Sequence, residues 1–317
     1  MAGHDRAELV TSAFRSIRRG SKSFALASRL FDRETRERVW LLYAWCRACD
    51  DIADGQDHGR VPVAGIPLNP EARLATIRTL TELAVAGEET GDPAFDALGV
   101  LVREVPLPRA IIDDVLAGFA LDAADWLPRT QTDLLRYCYH VAGAVGVMMG
   151  IVMGVPAEDE DTLDRACDLG IAFQLANIVR DVWEDDAAGR CYLPVEWLAE
   201  ADIPPGEVTK PHYRDALVPL VARACRLARA YEASGKAGAA RLAFRQRWAV
   251  LAAAGIYGDI ACEVEALGAH AWDHRVHTGP VRKLYLLAKA YGEAGREAIP
   301  APRPALSRRE LAALARA

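Results

Sequence analysis

Gln174-Leu-Ala-Asn177-Ile-Val-Arg180-Asp181-Val-Trp-Glu184-Asp185 is the stretch on which the reading of the fold turns. On a helix, at about 100° per residue, Gln174, Asn177, Asp181 and Asp185 fall within roughly 80° of one face. The other sides carry Ile171, Phe173, Leu175, Ile178, Val179, Val182 and Trp183. A helix that is apolar on its remaining sides is buried, so this polar stripe needs partners inside the protein. Two carboxylates and two amides make an oxygen-rich set that suits magnesium and a bound phosphate.

A second stripe lies upstream, in Tyr43-Ala-Trp-Cys-Arg47-Ala-Cys-Asp50-Asp51-Ile-Ala-Asp54. Here Tyr43, Arg47, Asp50 and Asp54 share roughly 60° of helix surface. Asp50 and Asp54 stand four residues apart, a spacing at which like charges destabilise a bare helix. A divalent cation would remove that penalty. Either stripe alone also fits a solvated acidic patch at a helix end. Two of them, each set in apolar helix, point to chemistry. Paired carboxylates holding Mg²⁺ neutralise the charge that grows on a departing diphosphate. The allylic cation left behind must be kept from water and can be steadied by aromatic faces.

Outward from the stripes, apolar residues recur at three- and four-residue steps in Glu34–Asp54, Glu71–Gly87, Arg109–Ala124, Leu134–Met153, Asp161–Trp183, Tyr213–Tyr231 and Arg247–Trp272. Breakers fall between them, at Gly59–Pro70, Gly91–Pro93, Pro106–Pro108, Gly154–Pro156 and Pro204–Gly206. The expected fold is all-α, a single-domain helical bundle over residues 1–317. Its Pro-, Ala- and Arg-rich tail, from about Ile299, is expected to be loosely attached. The run Val141–Ala157 reads as a core helix too short to span a bilayer. Packing is the first explanation of Gly146, Gly150 and Gly154 recurring every fourth residue.

Hydrophobic residues make up 51% and charged residues 26% of the 317, with a net charge of −6, as for a globular protein and not a binder of nucleic acid. Met1–Gly20 shows no secretory signal. The seven cysteines read as reduced intracellular thiols, Cys46 and Cys49 included. His270, His274 and His277 read as surface residues, because magnesium prefers oxygen.

Five blocks together carry a resemblance: Ser21-Lys-Ser-Phe24, Leu42 to Asp54, Tyr137 to Gly146, Leu169 to Asp181, and Gly189-Arg-Cys-Tyr-Leu-Pro194. From about Ser12 to Gly292, in order, the chain resembles the squalene and phytoene synthase family, and most of all its bacterial phytoene-forming branch. The resemblance implies a helical bundle of the isoprenoid-synthase type with a central cavity. It implies head-to-head condensation of two geranylgeranyl diphosphates, through prephytoene diphosphate, in carotenoid biosynthesis. Asp50, Asp54, Asn177, Asp181 and Asp185 would hold Mg²⁺, with Mn²⁺ able to substitute and no NADPH, and Asp51 would lie beside them. Arg47, Ser21 and Ser23 would meet diphosphate, with Tyr43 on the same face. Tyr137 and Gln174 would lie near the reacting carbons. Arg180, Tyr192, Tyr257, Arg275 and Lys283 would close the polar end, and Gly146 would line the hydrophobic channel. Ser21 also suits a helix N-cap, and Trp45 a core aromatic. The implied setting is cytoplasmic, loosely peripheral at the membrane, upstream of a carotenoid desaturase. Competing readings are a squalene-type enzyme using NADPH, a head-to-tail prenyl synthase, a di-iron bundle and a non-catalytic helical scaffold. The di-iron bundle needs Glu-x-x-His pairs, which the sequence lacks.

Overall fold

Apolar side chains at helical spacing predict helices, and almost all of the regular structure is helical. The computed structural model describes residues 4–57, 61–62 and 69–313; part of the Gly59–Pro70 breaker and residues 314–317 of the tail lie outside the described residues. The backbone divides into two compact units, one of residues 1–124 and 148–157, the other of 125–147 and 158–317.

The first unit contains α1 (Arg6–Gly20), α2 (Lys22–Ser28), α3 (Arg33–Asp54), the short antiparallel pair β1 (Gln56–Asp57) and β2 (Val61–Pro62), α4 (Pro70–Ala86), α5 (Pro93–Glu104) and α6 (Arg109–Ala123). α1 buries Leu9, Ala13 and Ile17, one residue per turn. That single stripe is narrow enough to be hidden in a segment that reads as polar. Arg6 ties α1 to its neighbours, reaching Glu37 of α3 (2.6 Å) and Glu104 of α5 (2.5 Å). Asp32 starts α3 by accepting the Thr35 N–H (2.9 Å), and Gly55 stops it in the left-handed region (φ 68°). Trp45 is fully buried in α3, its indole N–H bonded to Thr81 of α4 (3.3 Å), so it is a core residue. Arg73 of α4 donates to the Ala53 carbonyl (3.1 Å) and so secures the turn that carries Asp50 and Asp54.

The second unit begins with α7 (Gln131–Cys138), a π-helical turn over Tyr139–Gly143, and the start of α8 (Ala144–Val152), whose end belongs to the first unit. Gln131–Val152 is thus one 22-residue helical run. It is longer than Pro156 alone suggests, because it starts well before the apolar stretch. By length and composition it could cross a bilayer, but 67% of its most apolar window is buried inside the protein, as a core helix requires. Next come α9 (Glu160–Arg180), α10 (Val182–Ala187), α11 (Val195–Glu200), α12 (Arg214–Gly238), α13 (Phe244–Leu267), α14 (Pro280–Ala294) and α15 (Arg308–Ala313).

α9 is the spine of this unit. It buries Leu163, Cys167, Ile171, Leu175, Ile178 and Val179, among others, and packs against α12, α13 and the π turn. It also approaches the α7–α8 run at backbone distance. A Cβ at Gly146 would lie 2.4 Å from the Ala166 carbonyl oxygen, and one at Gly170 would lie 2.3 Å from that of Ala142. The expectation that Gly146 lines a channel thus meets a packing contact at that residue, which is half-buried. Its side-chain direction is filled by the α9 backbone, so glycine serves packing there.

The tail corrects an expectation. Arg303 forms a fork on Asp168 (3.0 and 3.1 Å) and reaches Asp164 (2.7 Å). Arg308 meets Asp164 as well (2.7 Å), and Leu311 of α15 is fully buried. A composition rich in Pro, Ala and Arg suggests looseness, but these arginines answer acids that α9 buries. Burial raises the Asp168 carboxyl above its ordinary range despite Arg303 and the Ser234 hydroxyl, which donates to it (2.6 Å). Arg303→Met should therefore cost about 3 kcal/mol in urea unfolding at pH 7, at the low end for a broken buried pair because Asp168 can take up a proton. With the guanidinium gone, the folded-state pKa of Asp168 rises further. The folded variant then holds a proton that the unfolded chain releases, so the deficit should shrink as pH falls toward 5. A deficit that does not change with pH would exclude Asp168 as its source.

Candidate active site

The first stripe is the accessible edge of α3. Val39, Leu42, Trp45 and Cys49 are buried, whereas Asp50 and Asp54 are exposed and Tyr43, Arg47 and Asp51 are half-buried. Arg47 is paired with Asp51. Its Nε is buried without a hydrogen-bond partner among the described residues, and a buried donor in that state is costly unless an anion completes it. The Asp50 carboxyl reaches solvent yet has protein close around it, and this burial raises it to about 7. Arg47 opposes the rise, and Asp54, Asp51 and Asp122 add to it. Asp122, on α6, is a contributor that sequence spacing does not reveal, since nothing in its own helix distinguishes it. Phe24 of α2 lies against the Tyr43 ring (centroids 5.7 Å apart). Ser21 caps α2, its Oγ accepting the Phe24 N–H (3.2 Å), which is the structural alternative the sequence allowed. Ser23 is on α2, but its side chain lies outside the described residues.

The second stripe is not carried by one straight helix. α9 ends at Arg180, Asp181 sits at the break (φ −100°, ψ 18°), and Asp185 is on α10. Gln174 and Asn177 are half-buried on the otherwise buried α9, and Asp181 and Asp185 are half-buried beyond it. Arg180 and Arg275 both grip Asp181, the latter through a two-pronged contact of 2.9 and 2.9 Å. Burial would raise the Asp181 carboxyl, but the two guanidiniums outweigh it and hold the group below the usual carboxylate range. For Asp185 burial wins. Helped by the charges of Asp181 and Glu184, it pushes the carboxyl up to about 7 against Arg190 and Arg180.

The break has a visible support. The indole N–H of Trp272 donates to the Val179 carbonyl (3.0 Å), the group a regular helix reserves for the Trp183 N–H. The Trp272 and Trp183 rings are stacked (5.1 Å), and the Arg214 guanidinium lies over Trp183 (5.1 Å). No sequence spacing links these residues.

Aromatic rings complete the unit. Tyr137, from α7, is buried and stacks on Tyr192 (4.7 Å) and Trp126 (6.1 Å). Tyr257 of α13 stacks on Phe173 of α9 (4.3 Å), and burial raises its phenol. Lys283 is half-buried on α14. His270, His274 and His277 are exposed.

Within each stripe the donors are hard oxygens in carboxylate excess, which is the set that magnesium takes. Among the described residues no three His, Cys, Asp or Glu side chains form a ready-made metal cage. Magnesium typically binds through one or two carboxylates and fills its octahedron with water and substrate phosphate, so the donor set still fits it.

The chain matches the family model described as squalene/phytoene synthase over residues 17–284. It is 45% identical over 304 residues to a phytoene synthase from Pseudescherichia vulneris, covering 94% of this chain and 96% of that protein. It is 44% identical over 299 residues to a 15-cis-phytoene synthase from Pantoea ananas, again covering 94% and 96%. A dehydrosqualene synthase solved in complex with ligand superposes with a TM-score of 0.80 at 28% identity, covering 90% of this chain and 96% of that one. A squalene synthase from Alicyclobacillus acidocaldarius shares the fold, with a TM-score of 0.72 at 22% identity, covering 83% and 95%.

The α9–α10 break yields a test. Trp272→Phe keeps a ring against Trp183 but deletes the donor to Val179, and should cost about 1 kcal/mol in thermal unfolding. Trp272→Ala also removes the ring and should cost about 3–5 kcal/mol. A phenylalanine variant as stable as the wild type would show that the indole bond does not hold the break.

Proposed function

Because the chain belongs to the squalene/phytoene synthase family, we propose that it is a phytoene synthase, joining two geranylgeranyl diphosphates head to head, through prephytoene diphosphate, to phytoene with release of two diphosphates. The observation that carries the chemistry is the charge imbalance of the two stripes. Each has one carboxylate neutralised by arginine, Asp51 or Asp181, and one that burial and like charges raise to about 7, Asp50 or Asp185. Asp50 and Asp54 of the first stripe, and Asn177, Asp181 and Asp185 of the second, would hold Mg²⁺ or Mn²⁺. Bound there, the metal supplies neutralisation of the charge that develops as diphosphate leaves.

The protein's own groups do the rest. Arg47, Arg180 and Arg275 would exchange a carboxylate partner for diphosphate oxygens, and the Nε of Arg47, without a partner among the described residues, gives it a donor to spare. Tyr137 with Tyr192, and Phe173 with Tyr257, offer aromatic faces to an allylic cation. The final cation must end by proton loss or by hydride delivery. The raised phenol of Tyr257 stays protonated near neutrality, which makes released diphosphate the better base and gives Tyr257 a role through its ring. No reductant is required on this route. The apolar product suits a cytoplasmic protein held loosely at a membrane, handing its product to a carotenoid desaturase.

The product decides the reading. With geranylgeranyl diphosphate, Mg²⁺ and no NADPH, the lipid extract should contain phytoene, identified by its conjugated-triene absorbance and its mass. Arrest at the cyclopropyl diphosphate until NADPH is added would move the protein to the squalene-type branch. Preference for C15 over C20 diphosphate would change the substrate.

Asp50→Asn and Asp185→Asn keep size but lose charge. Each should lower kcat by about 10²–10³, the effect of one preorganised electrostatic group. EDTA should abolish the remaining activity, and Mg²⁺ or Mn²⁺ should restore it. Wild-type rates in both variants at saturating Mg²⁺ would remove the stripes from the mechanism.

A further inference from the structure

The outward face of α14 is apolar where a surface helix is normally charged. Val281, Leu284, Tyr285, Ala288 and Tyr291 fall within about 120° of helix surface. All five are exposed, Val281 at 84% and Leu284 at 71%. The opposite face is apolar as well, because Leu286, Ala290 and Ala294 are buried. The patch continues onto the first turns of α13, where Phe244, itself exposed, and Trp248 both meet Tyr291 edge-on (5.4 and 5.1 Å). A contiguous exposed face of this kind marks an interaction surface.

Its border indicates the partner. Arg282 and Lys289 flank the stripe on one side of α14, Arg245 and Arg247 lie beside Phe244, and Arg296 follows the helix. Arg247 also donates to the Glu293 and Arg296 carbonyls at the end of α14 (3.3 and 2.9 Å). Arg282 pairs with Asp259 and Lys289 with Glu293, which leaves the region net basic in a chain of charge −6. A convex helix face with Val and Leu at its centre, Tyr, Trp and Phe around them and basic side chains at the rim has the composition of an interfacial helix.

We propose that α14 and the start of α13 form a membrane-docking surface, which lays its apolar stripe into the headgroup boundary of an anionic lipid leaflet. The inference names the face by which the reading above would reach a membrane, and its purpose rests on that reading: an enzyme releasing a hydrocarbon needs a lipid phase to receive it. The test needs no substrate. The intact protein is floated with vesicles of phosphatidylglycerol and phosphatidylcholine, and with phosphatidylcholine alone. Binding should favour the anionic vesicles and weaken as salt rises. The variant Val281→Gln, Leu284→Gln, Tyr285→Gln should melt like the wild type, lose vesicle affinity by about tenfold or more, and keep its activity on detergent-dispersed substrate. No binding by the wild type, or unchanged affinity in the folded variant, overturns the proposal. So does a wild-type dimer that the substitutions convert to monomer while vesicle binding persists, because the face would then belong to a second copy. A protein that docks by this face yet makes no phytoene leaves the docking surface standing and sinks the enzymatic reading instead.

Discussion

Carboxylates set into helices that are apolar on every other side are the constraint around which this protein is organised. Water would solvate them cheaply; a packed interior does not. The chain answers in two ways. Where an arginine is in reach, as with Asp51, Asp181 and Asp168, the carboxyl is paired; at Asp181 the guanidiniums outweigh burial, and at Asp168 burial still raises the group. Where arginine charge does not outweigh burial, as at Asp50 and Asp185, the carboxyl drifts upward until it is half-protonated near neutrality. The second class is useful because it is unsatisfied. Under the proposed function, a group whose charge costs free energy on its own would gain most from a bound cation.

Much of this was legible in the sequence because it is local. The stripes of α3 and α9 lie within a few turns of one chain, and helical spacing alone places Asp50 with Asp54 and Gln174 with Asn177. Most of the larger helices were equally plain, although α12 runs on past the expected Tyr231 to Gly238, α13 stops at Leu267 and not Trp272, and α14 was not expected. α5 escaped notice because its twelve residues lie between two proline-bearing breakers, and α1 because its apolar stripe is one residue wide. What could not be read depends on contacts between distant residues. Nothing near Tyr137 announces Tyr192, and nothing near Val179 announces Trp272. The tail was misjudged for the same reason, since the acids that hold Arg303 and Arg308 lie on α9. Resemblance gives Gly146 to the channel, and only the fold shows that the Ala166 carbonyl packs beside it.

Asp181 shows how helix geometry and electrostatics are joined. A straight helix would carry Asp185 a full turn beyond Asp181 on the same line. At the break that Trp272 supports, Asp181 leaves ideal helical angles while its carbonyl still accepts the Asp185 N–H (2.8 Å), and Arg275 approaches from outside the helix altogether. Positioning the acid therefore depends on a segment near position 272 that has no acidic residue at ligand spacing of its own. Substitutions there would act on the site through the α9 backbone.

The π-helical turn at Tyr139–Gly143 has a consequence for how this region tolerates change. There the Ala144 N–H reaches back five residues, to Tyr139, instead of four. Each π turn therefore takes in one residue more than an α turn and shifts the phase of everything after it by about 100°. Tyr137 before the turn and Gly146 after it thus obey two different helical wheels, one aimed at a ring stack and the other at a backbone. A single-residue deletion between them would leave an unbroken α-helix, regular by every local measure. It would still rotate a glycine-sized contact away from α9 and put a side chain in its place. In this stretch, insertions and deletions are changes of angle before they are changes of length.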